Sequence, residues 1–223
     1  MSLTTPSLRD DREKFGTVAF YASLGRAFVV MCAVVPALFG IELIDQATDH
    51  RLDYHAGILT RQISGLDGIV FAPFLHFSWA HLYGNSVPLL LTGTFVLATG
   101  ARRFLGVTVL VMVTSGFGAW LFGPPGGDTV GASGVIFGYL GFLFMRGLVE
   151  HSWWTIAVAL LVGLLFGVAL SGVLPGDPHI SWQAHLGGFL GGLVAAVVFR
   201  QRRRRPTQPA DGLPSTLTIP TVG

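Results

Sequence analysis

Four side chains of this sequence have the types and spacing of an acyl-transfer site: Ser133, His185, Asn85 and His81. A serine hydroxyl is a weak nucleophile that needs an adjacent base, a role His185 can fill. The oxyanion formed by attack on a carbonyl needs preorganised donors, which Asn85, His81 and the backbone N–H of Ser133 can supply. Each group stands at the head of an apolar run. Gly131-Ala132-Ser133-Gly134 follows the Pro/Gly-rich loop Gly123 to Asp128, Gln183-Ala184-His185-Leu186-Gly187-Gly188 opens the last run, and His81-Leu82-Tyr83-Gly84-Asn85 opens an earlier one. Gly131 and Gly134 leave room beside the serine for another backbone or a substrate. Asp128 and Asp177 read as loop residues, so the pattern is a Ser–His pair without a third, acidic member.

Taken singly, these residues have ordinary explanations. A serine in a membrane helix usually packs or bonds back to its own helix. His185 alone is a candidate interhelical donor, and His81 with Asn85, at i and i+4, a candidate staple between helix and loop. What the separate explanations leave unaccounted for is three Gly-rich helix starts at one depth. Other chemistries fit less well. Val135 stands where Gly-x-Ser-x-Gly needs its second glycine, which argues against a hydrolase elbow. There is no His-Glu-x-x-His, and His76 and His81 have no carboxylate nearby, so no metal site is expected. No span-embedded aspartate is expected, and no nucleotide loop, inverted repeat or coupled-ion site appears.

The elements that must position these groups are membrane helices. Of 223 residues, 51% are hydrophobic and 12% charged, against roughly 25% charged in soluble domains. Six charge-free windows, 27–41, 68–101, 104–127, 129–145, 151–176 and 178–199, predict six spans. The first and fourth are short, and Arg26 and Arg146 at their ends are expected to snorkel to the interface. The 30 glycines suit close helix packing in lipid. The expected spans are 21–44, 81–99, 104–122, 133–149, 153–171 and 181–199, within a membrane domain of residues 21–200. Residues 1–20 form an N-terminal tail, without the pattern of a signal peptide, and 201–223 a basic, Pro-rich one. The segment from Asp45 to Ala80 is long and apolar in its second half, so it is expected to pack on the bundle. Cys32 is the only cysteine, so no intrachain disulfide forms.

Six spans put both tails on one side together with Arg102, Arg103 and Arg146. That side holds twelve of the fourteen cations, leaving only Arg51 and Arg61 opposite. Both termini are therefore expected in the cytoplasm. The basic tail directly follows a span, which points to anionic membrane lipid and away from nucleic acid. Spans two, four and six then start from the outer face. Ser133 is five residues past Asp128, His185 eight past Asp177, and His81 and Asn85 open span two. At 1.5 Å per residue each is expected within about two turns, or roughly 10 Å, of that face, where polar side chains are functional candidates by default.

Phe74-Leu75-His76-Phe77-Ser78-Trp79-Ala80-His81-Leu82-Tyr83-Gly84-Asn85, Gly131-Ala132-Ser133-Gly134 and Ala184-His185-Leu186-Gly187-Gly188 stand in the order, and on the spans, that resemble the rhomboid family of intramembrane serine proteases. The resemblance covers about residues 20 to 200. It implies an all-α, six-transmembrane-helix bundle in the plasma membrane, with Ser133 as nucleophile, His185 as base, and Asn85 and His81 helping to hold the oxyanion. It also implies a site opening to the extracytoplasmic side, single-span transmembrane substrates cut near the outer boundary, and no cofactor or metal. Gly131, Gly134 and Phe137 would line the substrate site, Phe137 standing where many relatives have tyrosine against the histidine. Two departures are visible: the first loop lacks a Trp-Arg pair, and Thr99 to Arg103 replaces the glutamate common after span two. Two other classes are weighed against a protease. A catalytically inactive relative that binds membrane clients would be expected to lack Ser133 or His185, and a channel using the polar cluster would conduct without Ser133.

Overall fold

The apolar runs fold into long helices, three of which start at a hydroxyl side chain that accepts a backbone N–H of the first turn. Thr17 accepts from Phe20 at the head of α1 (Val18–Ala47), Ser78 from His81 at α4 (Trp79–Ala98), and Ser181 from Ala184 at α8 (Trp182–Val198). A computed structural model describes residues 14–165, 174 and 180–200. The other long helices are α5 (Ala101–Phe122), α6 (Ser133–Val149) and α7 (Trp153–Leu165). Both expected tails beyond these limits, the end of the fifth expected span and Asp177 lie outside the described residues.

The first connection is built, as its apolar half requires. It contains α2 (Arg51–Ala56), β1 (Ile58–Leu59), a 3-10 turn at Ile63–Gly65, α3 (Gly68–Phe71) and a second 3-10 turn at Ala72–Phe74. β1 pairs antiparallel with β2 (Asp128–Thr129), Ile58 opposite Thr129 and Leu59 opposite Asp128. This two-residue ladder ties the first loop to the segment leading into Ser133.

α6 is the central element: twelve of its 17 residues are buried, against seven of 30 in α1. α8 lies directly on it because glycines remove the side chains between them. A Cβ at Gly188 would collide with the Gly134 carbonyl, one at Gly192 with the Gly138 carbonyl, and one at Gly141 with the Phe189 carbonyl. α8 meets α5 in the same way, where Gly187 and Gly118 approach each other. α1 packs on α4 through Phe39, which stacks on Trp79 with ring centroids 6.2 Å apart, and through Met31, which fills the space beside Gly93.

The two ends of α6 are polar in different ways. Its start holds Ser133; at its far end Arg146 Nε donates to Glu150 at 2.8 Å, and Arg103 of α5 reaches both Glu150 and the Phe199 carbonyl after α8. Burial pushes the Glu150 carboxyl up, but Arg146 and Arg103 overcome it and hold it below its usual range. Arg146 therefore does not snorkel as expected. It is 2% exposed and turned inward, because Glu150 one turn on supplies a charged partner and the Trp154 ring lies 5.9 Å away.

The all-α expectation is met apart from the ladder, although among the described residues only α1 and α5 are each long and apolar enough to cross a bilayer. α6 and α8, at 17 residues, reach about 26 Å. α6 is short because its first residue is Ser133 itself. Asp128 to Ala132 is a strand and a turn, so counting helical rise from Asp128 does not give the position of the serine. α1 also runs further than expected, carrying Glu42 and Asp45 inside the helix and buried.

Candidate active site

Ser133 is the first residue of α6, and no side chain caps that helix. The N–H groups of its first turn have no intrahelical acceptor and carry the positive end of the helix dipole, a setting that favours developing negative charge. The turn before it is fixed from both sides. Gly131 donates to the Ala72 carbonyl at 2.8 Å, and the Ala132 N–H approaches His76 Nε2 at 3.5 Å. Gly131 has φ +122°, and a Cβ there would stand 2.6 Å from the His81 ring, so only glycine suits the position.

The glycine contacts between α6 and α8 bring His185 over Ser133, Nε2 to Oγ at 2.7 Å. His185 is buried, and its ring stacks on Phe137 with centroids 4.3 Å apart and planes at 21°. A hydroxyl and an imidazole in direct hydrogen bond, with the imidazole's orientation fixed by an aromatic face, can transfer a proton as the oxygen attacks.

On the other side of Ser133 stands α4. Asn85 is 8% exposed, and its Nδ2 has no hydrogen-bond partner among the described residues. That nitrogen lies 3.5 Å from where a Gly131 Cβ would be, and His81 Nε2 lies 2.7 Å from the same point. Two polar side chains thus converge on Gly131, two residues before the serine, one of them a buried amide with no partner among the described residues, which is costly unless an acceptor arrives. A small cleft borders Ser133, Gly131 and Gly134 and is walled by Ile58, Ile69 and Met112.

All seven residues singled out in the sequence, Ser133, His185, Asn85, His81, Gly131, Gly134 and Phe137, thus meet in one place. Asp128 belongs to β2 with Oδ1 directed at Gly57, and burial raises its carboxyl above the usual range. His76 was weighed in the sequence only as a metal ligand. Here it is 1% exposed, its ring 5.1 Å from that of His81, and burial, then the neighbouring His81, lowers its pKa to about 3. A neutral imidazole at that position accepts the Ala132 N–H and supports the serine turn. Its place two residues before the helix-capping Ser78 was the available clue. The β1–β2 ladder left no such clue, since two-residue strands have no readable alternation.

Comparison with known proteins places the chain in a family. Residues 64–202 match the Rhomboid domain, which spans α3 through α8 and so contains every residue of the site. A Mycobacterium tuberculosis protein named only as uncharacterized is 39% identical over 179 residues, covering 77% of this chain and 74% of its own. A Mycobacterium leprae protein, equally without a functional name, is 38% identical over 185 residues, 79% of this chain and 73% of its own. RHOMBOID-like protein 1 of Arabidopsis thaliana is 32% identical over 129 residues, 56% of this chain and 32% of its own length. With the domain match covering more than half the chain, this protein belongs to the rhomboid family.

Proposed function

We infer that the chain is an intramembrane serine endopeptidase working through a Ser133–His185 dyad. The observation that carries this reading is the 2.7 Å contact between His185 Nε2 and Ser133 Oγ, opposite the unpartnered amide of Asn85. In the proposed cycle His185 takes the Ser133 proton as Oγ attacks the scissile carbonyl. Asn85, His81 and the first-turn N–H groups of α6 receive the oxyanion. Protonated His185 then gives its proton to the leaving amine, and a water activated by the same ring releases the acyl group from Ser133.

In this reading the six long helices form a six-span bundle in the plasma membrane. The Arg103–Glu150–Arg146 end faces the cytoplasm together with both termini, and the Ser133 end opens to the extracytoplasmic side. Non-helical backbone such as Asp128 to Ala132 is tolerated at membrane depth only when protein or water satisfies it. The Ala72 carbonyl, His76 and the ladder do so. The substrates are single-span proteins, with no cofactor. An intact helix hides its carbonyls in its own hydrogen bonds, so a client must unwind locally. The least costly place is the outer end of its span, helped by Gly or Pro there and by a small residue at the cut.

The test uses purified protein in liposomes with a panel of single-span substrates. Cleavage is expected for wild type and lost in both Ser133→Ala and His185→Ala, and replacing the client's Gly or Pro by Leu should slow it strongly. Proteolysis that persists in Ser133→Ala contradicts the assignment. A wild type that binds these clients without cutting any of them favours the inactive class.

A further inference from the structure

Away from Ser133, the junction between α1 and α2 buries more negative charge than its neighbours neutralise. Glu42, Asp45 and Asp53 are each 2% exposed or less. Among the described residues no lysine or arginine pairs with any of them; the only basic group at hand is His50, whose Nδ1 lies 3.3 Å from Asp45 Oδ2 and 3.6 Å from Asp53 Oδ2. Local structure accounts for part of this set. Asp45 Oδ1 accepts the Leu52 N–H at 2.7 Å, tying α2 to the end of α1, and Glu42 Oε1 accepts from Gln46.

What remains are four buried carboxylate oxygens, Glu42 Oε2, Asp45 Oδ2 and both of Asp53, that accept no hydrogen bond among the described residues. Glu42 stands one turn before Asp45 on α1 and adds a further buried carboxylate to the junction. Carboxylates buried without partners are costly enough that such groups pair, coordinate a metal or give up their charge. Here one ligand atom each from Asp45, His50 and Asp53 lies within 4.8 Å of the others. Nitrogen and oxygen ligands of a tetrahedral zinc ion stand about 3.3–3.6 Å apart, so a closure of about 1 Å brings the three onto one ion and leaves a fourth position for water.

We propose that Asp45, His50 and Asp53 form a binding site for a divalent first-row metal ion of the zinc type. The imidazole among the carboxylates selects against magnesium and calcium, which prefer oxygen alone. The ion would join the last turn of α1 to α2. Because the Gly57 N–H bonds to the Asp53 carbonyl and Gly57 leads into β1, it would also brace the first loop whose ladder reaches the Ser133 turn.

The test is titration of Zn²⁺ into tag-free, chelator-stripped full-length protein in detergent, followed by calorimetry and metal analysis. One saturable site is expected, weakened more than about 10-fold in Asp53→Asn and in His50→Gln, since loss of even an outer-shell partner costs 10- to 100-fold. Added Zn²⁺ should raise the Tm of wild type and leave both variants nearly unchanged. His50 is partly exposed, so its variant keeps the test open if Asp53→Asn fails to fold. Absence of a saturable Zn²⁺ site in wild type overturns the proposal, and so does equal binding by wild type and a folded variant. A carboxyl pair that titrates near neutrality and takes up no metal also overturns it, since a shared proton would then be what neutralises the cluster.

Discussion

Each polar residue at the site has a distinct job, and the jobs predict different losses. Asn85 offers an unused buried donor toward the point where the oxyanion would form. Asn85→Ala is therefore expected to lower kcat by about 10²–10³ with little change in KM, measured as steady-state cleavage in liposomes. His76 predicts a pH effect on stability instead. Its folded pKa of about 3 lies below the ordinary 6.5, so as pH falls the unfolded chain takes the proton first. Its contribution is whole above pH 6.5 and declines toward pH 3 by up to about 1.4 kcal/mol per unit. Thermal melts of wild type should show this acid loss. His76→Gln, whose amide oxygen can still accept the Ala132 N–H, should lack that part of it. Asp53, with its folded pKa raised, works in the other direction and loses its contribution as pH rises from 3.8 through about 7, equally in both proteins. If wild type and His76→Gln decline in parallel below pH 6.5, His76 is not held neutral by the fold. That Ser133, His185, Asn85 and His81 belong together was legible because their types and motif order are specific; the part played by His76 was not, because an acceptor for a backbone N–H looks like any histidine in sequence.

At the scale of elements, the site depends on how closely α8 approaches α6. A methyl at Gly192 would meet the Gly138 carbonyl and the Phe142 N–H, both backbone atoms that cannot turn aside. Gly192→Ala should therefore push α8 outward, cost about 1–3 kcal/mol as overpacking does, and reduce cleavage by separating His185 from Ser133. Gly40→Ala in α1 meets nothing within 4 Å and should be neutral or slightly stabilising. Comparing the two by thermal melts and cleavage rate checks this; equal behaviour would show that the glycine contacts do not set the distance. The helix positions themselves were readable from charge-free windows, and Ser133 to Val149 matches α6. The inward turn of Arg146 and the continuation of α1 past residue 44 through Asp45 were not, because a charge within an apolar run marks a helix end only when no buried partner is available. Glu150 and the His50 cluster are such partners, brought close only by the fold.

For the whole molecule, the polar helix starts gather at one end of the long helices and the Arg103–Glu150–Arg146 group lies at the other. The account's central claim is that Ser133 is an activated nucleophile opening to the extracytoplasmic side, and one labelling experiment addresses it. A membrane-impermeant fluorophosphonate is added to right-side-out and to inverted membrane vesicles, and the modified peptide is mapped by mass spectrometry. The account predicts a stable adduct on Ser133 in right-side-out vesicles, little in inverted ones, and none in His185→Ala. Absence of any adduct on Ser133 in wild type, or equal labelling of wild type and His185→Ala, would contradict it.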